Sequence, residues 1–453
     1  MVMSKKKVIL LELNELCPHL LERFIGQGHL PNFKKLYDNA KCYTTDANCD
    51  IEYLEPWTQW VTLHTGLPFE KHKVFRLGQA QNLDQDSIWD ILSRNKLSSW
   101  ICGSMNAKWD PQDNNIKVLP DPWSIDVKAS PESLETFNQF VRANVQEHSN
   151  ENFKLSITEY VKFLIFMLRH GLQLKTIKKI GYALFKQLIK APDRWKKVMI
   201  LDWLQFDLFA SEYKNDSPAF ATFFSNSTAH FQHKFWRYME PDKFLLKPSE
   251  SEIEQLGGAI LYAYKNHDEL IGEVFKISDN DTTIILSTAL SQQPYVEKDS
   301  IGGKRFYRPI DMQVIPGIFN LKGVEQISPV MSHQFHLMCE TEENAKEVYE
   351  QLNTASAGSE PLFSLRLEAK DVFGGCQIIK QVPDDFRFEY GGKHFNFLDI
   401  FYLADNLKSG MHHPHGVFWV YSPEGEHSVQ TDILPLEQAM VKILSEFDLP
   451  VAA

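Results

Sequence analysis

Val8-Ile9-Leu10-Leu11-Glu12-Leu13-Asn14-Glu15 is the stretch from which the fold is read. Five of its first six side chains are apolar, too continuous a run for a strand with one wet face and suited to a strand buried on both faces of a parallel sheet. Helical patterns follow at Pro18 to Ile25 and Leu30 to Tyr37, and again from Pro56. Further core strands are predicted at Ser98 to Cys102, Lys197 to Leu201 and Thr282 to Leu286, the last introduced by the turn-rich Ser278 to Asp281. Strands alternating with helices predict α/β layering.

The 453 residues are 43% apolar and 23% charged, with 22 Gly and 22 Pro, an ordinary globular composition that excludes collagen, coiled coil and wholesale disorder. A formal charge of −12 argues against a general nucleic-acid binder, and no duplex binding is expected. The basic lead Met1 to Lys7 meets only four apolar residues before Glu12, too few for a signal core. No stretch approaches the roughly 18 uncharged apolar residues of a spanning helix; Val161 to Leu168 is broken by Lys162 and closed by Arg169. A cytoplasmic protein is expected. Cys17, Cys42, Cys49, Cys102, Cys339 and Cys376 form no CxxC pair and are read as reduced thiols.

Two stretches stand apart from a single domain over 1–453. The first, 131–196, is read as a basic helical insertion: Lys154 to Lys197 has net charge +9, leaving −21 on the rest. Leu164, Leu168, Leu172, Ile177, Ile180, Leu184 and Leu188 sit near helical spacing, with Lys175, Lys178, Lys179, Lys186 and Lys190 between them. Three readings fit: peripheral contact with an anionic membrane, a cap that gathers an anionic substrate, or helices packed on the core through their Leu side. The second stretch, 303–396, is read as a small α+β insertion with a helix from Thr341 to Leu352.

The chemistry points to Glu55-Pro56-Trp57-Thr58-Gln59-Trp60. Pro56 suits the first turn of a helix, which puts Thr58 near a helix N-terminus, where free N–H groups and the dipole favour a phosphate and a hydroxyl is placed to attack it. A plain helix cap is the competing reading. Glu55, Trp57 and Trp60 bracket Thr58 and either line a substrate site or pack in the core. His72 is read as a structural hydrogen-bonding residue, and His64 is left out of the site.

The strand ending in Glu12-Leu13-Asn14-Glu15, Leu30-Pro31-Asn32-Phe33, Pro56-Trp57-Thr58, Thr65-Gly66, Ala229-His230-Phe231-Gln232-His233-Lys234-Phe235-Trp236 and Gly410-Met411-His412-His413-Pro414-His415-Gly416 resemble, in order, the segments of the type I phosphodiesterase and nucleotide pyrophosphatase family, within the alkaline phosphatase superfamily. The resemblance implies an alkaline-phosphatase-like, doubly wound, mostly parallel sheet with helices on both faces. It also implies a Thr nucleophile between two divalent metals, commonly zinc.

Residue by residue, the resemblance makes Thr58 the nucleophile and His233 and His412 ligands of one metal. The acid expected four residues before His233 falls on Ala229, with His230 as the substitute. At the other metal, the expected Asp falls on Asn14, with Glu12 and Glu15 as replacements, and the expected Asp-His pair falls on Thr288-Ala289, which cannot bind metal. The expectation is therefore one ion, zinc by preference, or none. Three functions follow. The first is a divergent hydrolase or transferase acting on a phosphate or sulfate ester, small-molecule, glycan- or lipid-linked, with Gln59 holding developing charge. The second is a binding protein for a phosphorylated or glycan ligand without turnover, and the third is a structural role.

Overall fold

The computed structural model describes residues 6–124, 127–147, 155–329, 334–405 and 407–449. The first half contributes β1 (Lys7–Leu13), α1 (Pro18–Gly26), α2 (Pro31–Tyr37), β2 (Ala40–Asp46), α3 (Pro56–Thr65), β3 (Ser99–Cys102), β4 (Ile116–Leu119), α4 (Glu135–Glu147), α5 (Ile157–Arg169), α6 (Leu174–Leu188) and α7 (Ile200–Asp216). The second half adds β5 (Phe220–Ser225), α8 (Ser227–Met239), α9 (Ala259–Ile277), β6 (Thr282–Ser287), β7 (Ser291–Pro294), β8 (Gly410–His413) and β9 (His415–Tyr421).

β1 is an inner strand of the main sheet, parallel to β5 on one side and β6 on the other. The order runs β2-β9-β6-β1-β5-β3-β4, with β9 antiparallel to both neighbours and short strands added beyond β2. Alternation along β1 sends Ile9, Leu11 and Leu13 to a core shared with α1, α2, α7 and α9. Val8 and Leu10 go to the opposite core, shared with α3 and the helix Gln438–Ser445. Both faces of β1 are thus covered, as its apolar run requires, and the doubly wound expectation holds.

One strand expectation fails. Lys197 to Leu201 is the 3-10 turn Arg194–Met199 running into α7. Its apolar run continues through Trp203, Phe206 and Phe209, and a short apolar run alone does not separate a buried helix from a strand.

The expected α+β insertion has its own core, from Tyr307 to Phe401. Its strand Gln334–Cys339 pairs antiparallel with Val324–Pro329 and Asp371–Cys376. Thr341 caps the helix Glu342–Leu352, its Oγ1 accepting from the Asn344 N–H at 3.1 Å. Arg76 ties this unit to the main body, 2.7 Å from Glu368 and paired also with Asp371.

The basic segment is arranged the opposite way to a helix packed through its Leu side. Lys175 Nζ lies 2.9 Å from Glu273 and Lys179 Nζ 3.1 Å from Glu269, both acids on α9, and both ammoniums sit 4.4 Å from the Trp203 ring. Of the apolar set, Leu172 and Ile180 pack inward, while Leu164, Leu168, Ile177, Leu184 and Leu188 face outward. The acids on α9 draw the lysines in, so the leucines turn out. Lys154 lies outside the described residues. No hydrogen bond or ion pair among those described links this segment to Glu15, His233 or His412.

Candidate active site

The candidate site lies at the carboxyl ends of β1 and β5, where open α/β sheets bind ligands. Glu15 follows β1 by two residues, with φ at +60°, a left-handed conformation that costs a non-glycine residue of the order of 1 kcal/mol. The turn is held from both sides. The Glu15 N–H donates to the Thr288 carbonyl at 3.2 Å, and its own carbonyl accepts from Gln232 Nε2 at 2.7 Å. Tyr264 Oη–H in turn donates to Gln232 Oε1 at 2.7 Å.

This turn aims the buried Glu15 carboxylate at two imidazoles. Its Oε2 lies 3.1 Å from His233 Nε2 and 3.5 Å from His412 Nε2. His233 Nδ1–H donates to the Gly410 carbonyl at 3.0 Å, which leaves Nε2 for the site. His412 Nδ1 lies 3.6 Å from Glu55 Oε2, on the side of the ring away from Glu15. Gln292 Nε2 donates both to Glu15 Oε2 and to the Ala229 carbonyl, and Asn14 Nδ2 donates to Glu15 Oε1 at 2.8 Å.

Gly410 lets these parts meet. A Cβ there would fall 2.5 Å from Gln292 Oε1 and 2.7 Å from the Gln232 carbonyl oxygen, so only glycine allows β8 this close to α8.

Burial pushes the Glu15 carboxyl up, but the imidazoles of His412 and His233 and the hydrogen bonds from His233 and Gln292 outweigh it and hold the group at about 2. Burial lowers His412 to about 4 against the opposing pull of Glu15, so its imidazole is neutral near pH 7. Burial raises Glu55 to about 8, and burial together with Lys304 lowers Lys408 to about 8. Lys304 is lowered by burial as well. Lys408 therefore stands near Glu15 and His412, with Lys304 near Lys408 and Glu55.

The donor atoms of Glu15, His233 and His412 all lie within 4.8 Å of one another. One ionised carboxylate and two imidazole Nε2 atoms, with His233 oriented through its other nitrogen, fit a divalent ion such as zinc. This is the one group of three such residues among those described.

Of the residues singled out from sequence, His233 and His412 come together. His230 does not: it is exposed on α8, its ring beside Phe231. The acid that stands beside the two imidazoles is Glu15, expected from sequence as a replacement at the other metal, and not residue 229 or His230. Glu12 turns to the opposite face of β1, where its Oε1 lies 2.7 Å from His64 Nε2 beside the rings of Trp60 and Trp89. Asn14 is spent on positioning: Nδ2 serves Glu15 and Asn226, and Oδ1 accepts from Trp60 Nε1 at 2.8 Å. Thr288 Oγ1 accepts the Val417 N–H at 3.0 Å, and Ala289 has no donor atom.

Thr58 lies in the first turn of α3, and Glu55 is the N-cap residue. The Thr58 N–H donates to the Glu55 carbonyl at 3.0 Å, so its backbone is not free for an anion. Its side chain is fully buried, and the hydroxyl has no hydrogen-bond partner; a capping role is therefore absent. Gln59 Nε2 donates to the Tyr53 carbonyl at 3.0 Å and to Cys49 Sγ, so its amide donor holds the 49–53 loop instead of facing developing charge. Trp57 packs in the core with its Nε1–H on the Phe75 carbonyl at 2.8 Å, and Trp60 is buried completely. His72 is a structural residue, accepting from the Val74 N–H and bonded to Thr62.

Sequence reasoning missed Gln292, Lys304 and Lys408. No spacing marked them, because each approaches the site from a loop or strand far along the chain.

No curated protein matches the chain in sequence. Among solved structures, murine ectonucleotide pyrophosphatase/phosphodiesterase 5, as an inactive variant with AMP, is similar at 11% identity and a TM-score of 0.45, over 99% of this chain and 96% of that one. Phosphonoacetate hydrolase from Sinorhizobium meliloti 1021 with phosphonoformate is similar at 8% identity and a TM-score of 0.48, over 98% and 96%. The family match extends from residue 8 to residue 406, from β1 through the α+β unit. A match over most of its length makes the chain a member of the Type I phosphodiesterase / nucleotide pyrophosphatase family.

Proposed function

We propose that the chain is a phosphate-ester hydrolase of phosphodiesterase type, acting on a small-molecule ester, with Thr58 as nucleophile and one divalent ion held by Glu15, His233 and His412. The observation that carries the reading is the Thr58 hydroxyl, buried without a partner in the helix turn whose N-cap, Glu55, reaches His412. An unsatisfied buried hydroxyl costs roughly 1 to 3 kcal/mol, a cost that makes sense where reaction needs the oxygen free.

In this reading Thr58 Oγ1 bonds to phosphorus as the bond to the leaving alkoxide breaks, and the hydroxyl proton ends on the alcohol product. Water then cleaves the phosphothreonine and returns a proton to Thr58. Lys304 and Lys408 attract the anionic ester. When bound, the ion supplies charge stabilisation at the phosphoryl oxygens, worth several kcal/mol. All six cysteines are free, which fits a reducing compartment such as the cytoplasm.

A second reading, a phosphate-ligand binder without turnover, is favoured by Thr288 and Ala289, which supply no donors for a second ion, and by the closed position of Thr58. Turnover of a phosphodiester and phosphomonoester panel by zinc-loaded protein, lost in Thr58→Ala, supports the hydrolase. Binding of phosphate or a nucleotide without any turnover supports the binder.

A further inference from the structure

The outward side of α5 and α6 is an apolar surface with basic side chains set into it. Thirteen of the twenty-one large apolar side chains exposed among the described residues fall between Ile157 and Ile189. On α5 they include Ile157, Leu164 and Leu168, and on α6 Leu174, Leu184 and Leu188, the last 81% exposed. Each set follows the helical period, so each helix shows solvent a stripe, not scattered single residues. Contiguous apolar surface of this kind marks an interaction site.

Packing does not explain these stripes. The inner side of α5 is filled by Phe163, Phe166 and Met167, with Phe163 stacked 3.7 Å from the ring of Phe140 on α4. The inner side of α6 buries Thr176 and directs Lys175 and Lys179 to Glu269 and Glu273. The turn between the helices is pinned to α7: the Gln173 N–H donates to Asp207 Oδ2 at 2.9 Å, and Gly171, at φ +89°, leaves no room for a Cβ against Ser211. The helices are thus anchored through their polar and aromatic backs.

The basic residues decide what covers the surface. Lys162, Arg169, Lys178 and Lys190 are exposed and form no ion pair among the described residues. They stand among the outward leucines, while the chain outside Lys154 to Lys197 carries −21. A negatively charged apolar medium is attracted here and repelled elsewhere on the molecule. No helix among the described residues is long and apolar enough to cross a bilayer, so the contact is one of lying on the surface.

We propose that α5 and α6 form a docking face for an anionic lipid bilayer, inserting the leucines into the acyl boundary and placing Lys162, Arg169, Lys178 and Lys190 among the headgroups. This inference is independent of the hydrolase reading, since none of its residues belongs to the Glu15, His233 and His412 cluster.

The test is vesicle co-sedimentation of the full chain with phosphatidylcholine vesicles and with vesicles containing about one third phosphatidylglycerol, at low and high salt. The expected result is binding to the anionic vesicles, at least tenfold weaker at high salt or on neutral vesicles. The triple variant Leu168→Ser, Leu184→Ser, Leu188→Ser should lose that binding at least tenfold and keep the wild-type melting temperature, because its side chains touch solvent. Failure of the wild type to bind anionic vesicles overturns the proposal, as does equal binding by the triple variant. A wild-type dimer in solution that the triple variant converts to monomer, with no vesicle binding, assigns the face to a second copy of the chain and overturns it as well.

Discussion

The Glu15 carboxylate lies 3.1 Å from His233 Nε2, although the two residues belong to different layers of the fold. A carboxylate from the turn after β1 thereby stands beside the α8 imidazole, where α8 itself offers only Ala229. Zinc titration followed by calorimetry or elemental analysis should find one ion per chain. Glu15→Ala, His233→Ala and His412→Ala should each weaken it by about 100-fold or more, as expected for loss of one of three protein donors. Because residues 229 and 233 share a helix face, Ala229→Asp in the Glu15→Ala background should recover part of the affinity. Undiminished zinc binding by Glu15→Ala would remove this residue from the site.

Thr58 should separate stability from activity. Thr58→Val removes a buried hydroxyl that has no partner and should stabilise the fold by about 1 kcal/mol in denaturant titration. The same substitution, like Thr58→Ala, should lower turnover by about 1000-fold or more, while Thr58→Ser retains part of it. A Thr58→Val variant of full activity would contradict the nucleophile assignment.

Gly410→Ala tests the close approach of β8 to α8. The added methyl meets the Gln232 backbone oxygen at 2.7 Å, so the strand itself must move. Destabilisation of about 1 to 3 kcal/mol is expected, together with weakened zinc binding as His412 withdraws from His233. Unchanged melting temperature and zinc affinity would show that the approach is looser than the geometry indicates.

His72 should give the fold acid sensitivity from outside the Glu15, His233 and His412 cluster. Burial lowers its imidazole to about 4 from an ordinary value of 6.5, with Lys73 adding to the effect. A depressed folded value means that the unfolded chain binds the proton first, so this contribution is complete above pH 6.5 and is lost as pH falls through about 4. The amount is of the order of 3 kcal/mol. His72→Gln should flatten the stability profile between pH 6.5 and 4, measured as unfolding free energy against pH. A profile identical to wild type would refute the assignment.

Much of the fold was legible because burial on two faces writes itself into β1 as a nearly unbroken apolar run, and turn residues and prolines mark where helices begin. Lys197 to Leu201 misled for a related reason: four consecutive apolar residues look the same whether a strand or a buried helix contains them. The amphipathic pattern of α6 was visible too, but its direction was not. Periodicity gives a helix two faces without saying which one turns inward, and the acids at Glu269 and Glu273 on another helix reversed the usual choice.

By itself, the sequence determined the layered α/β architecture, which follows from local periodicity, and motif order singled out His233, His412 and Thr58 as residues of interest. Only the tertiary structure decided that Glu15 lies beside the imidazole pair, that Glu12 and His230 stand apart from it, and that the leucines of α5 and α6 face solvent. The physical reason is that a ligand set is a matter of direction as well as composition. The left-handed turn at Glu15 and the glycine gap at Gly410 set where donor atoms point, and neither can be read from residues taken in order.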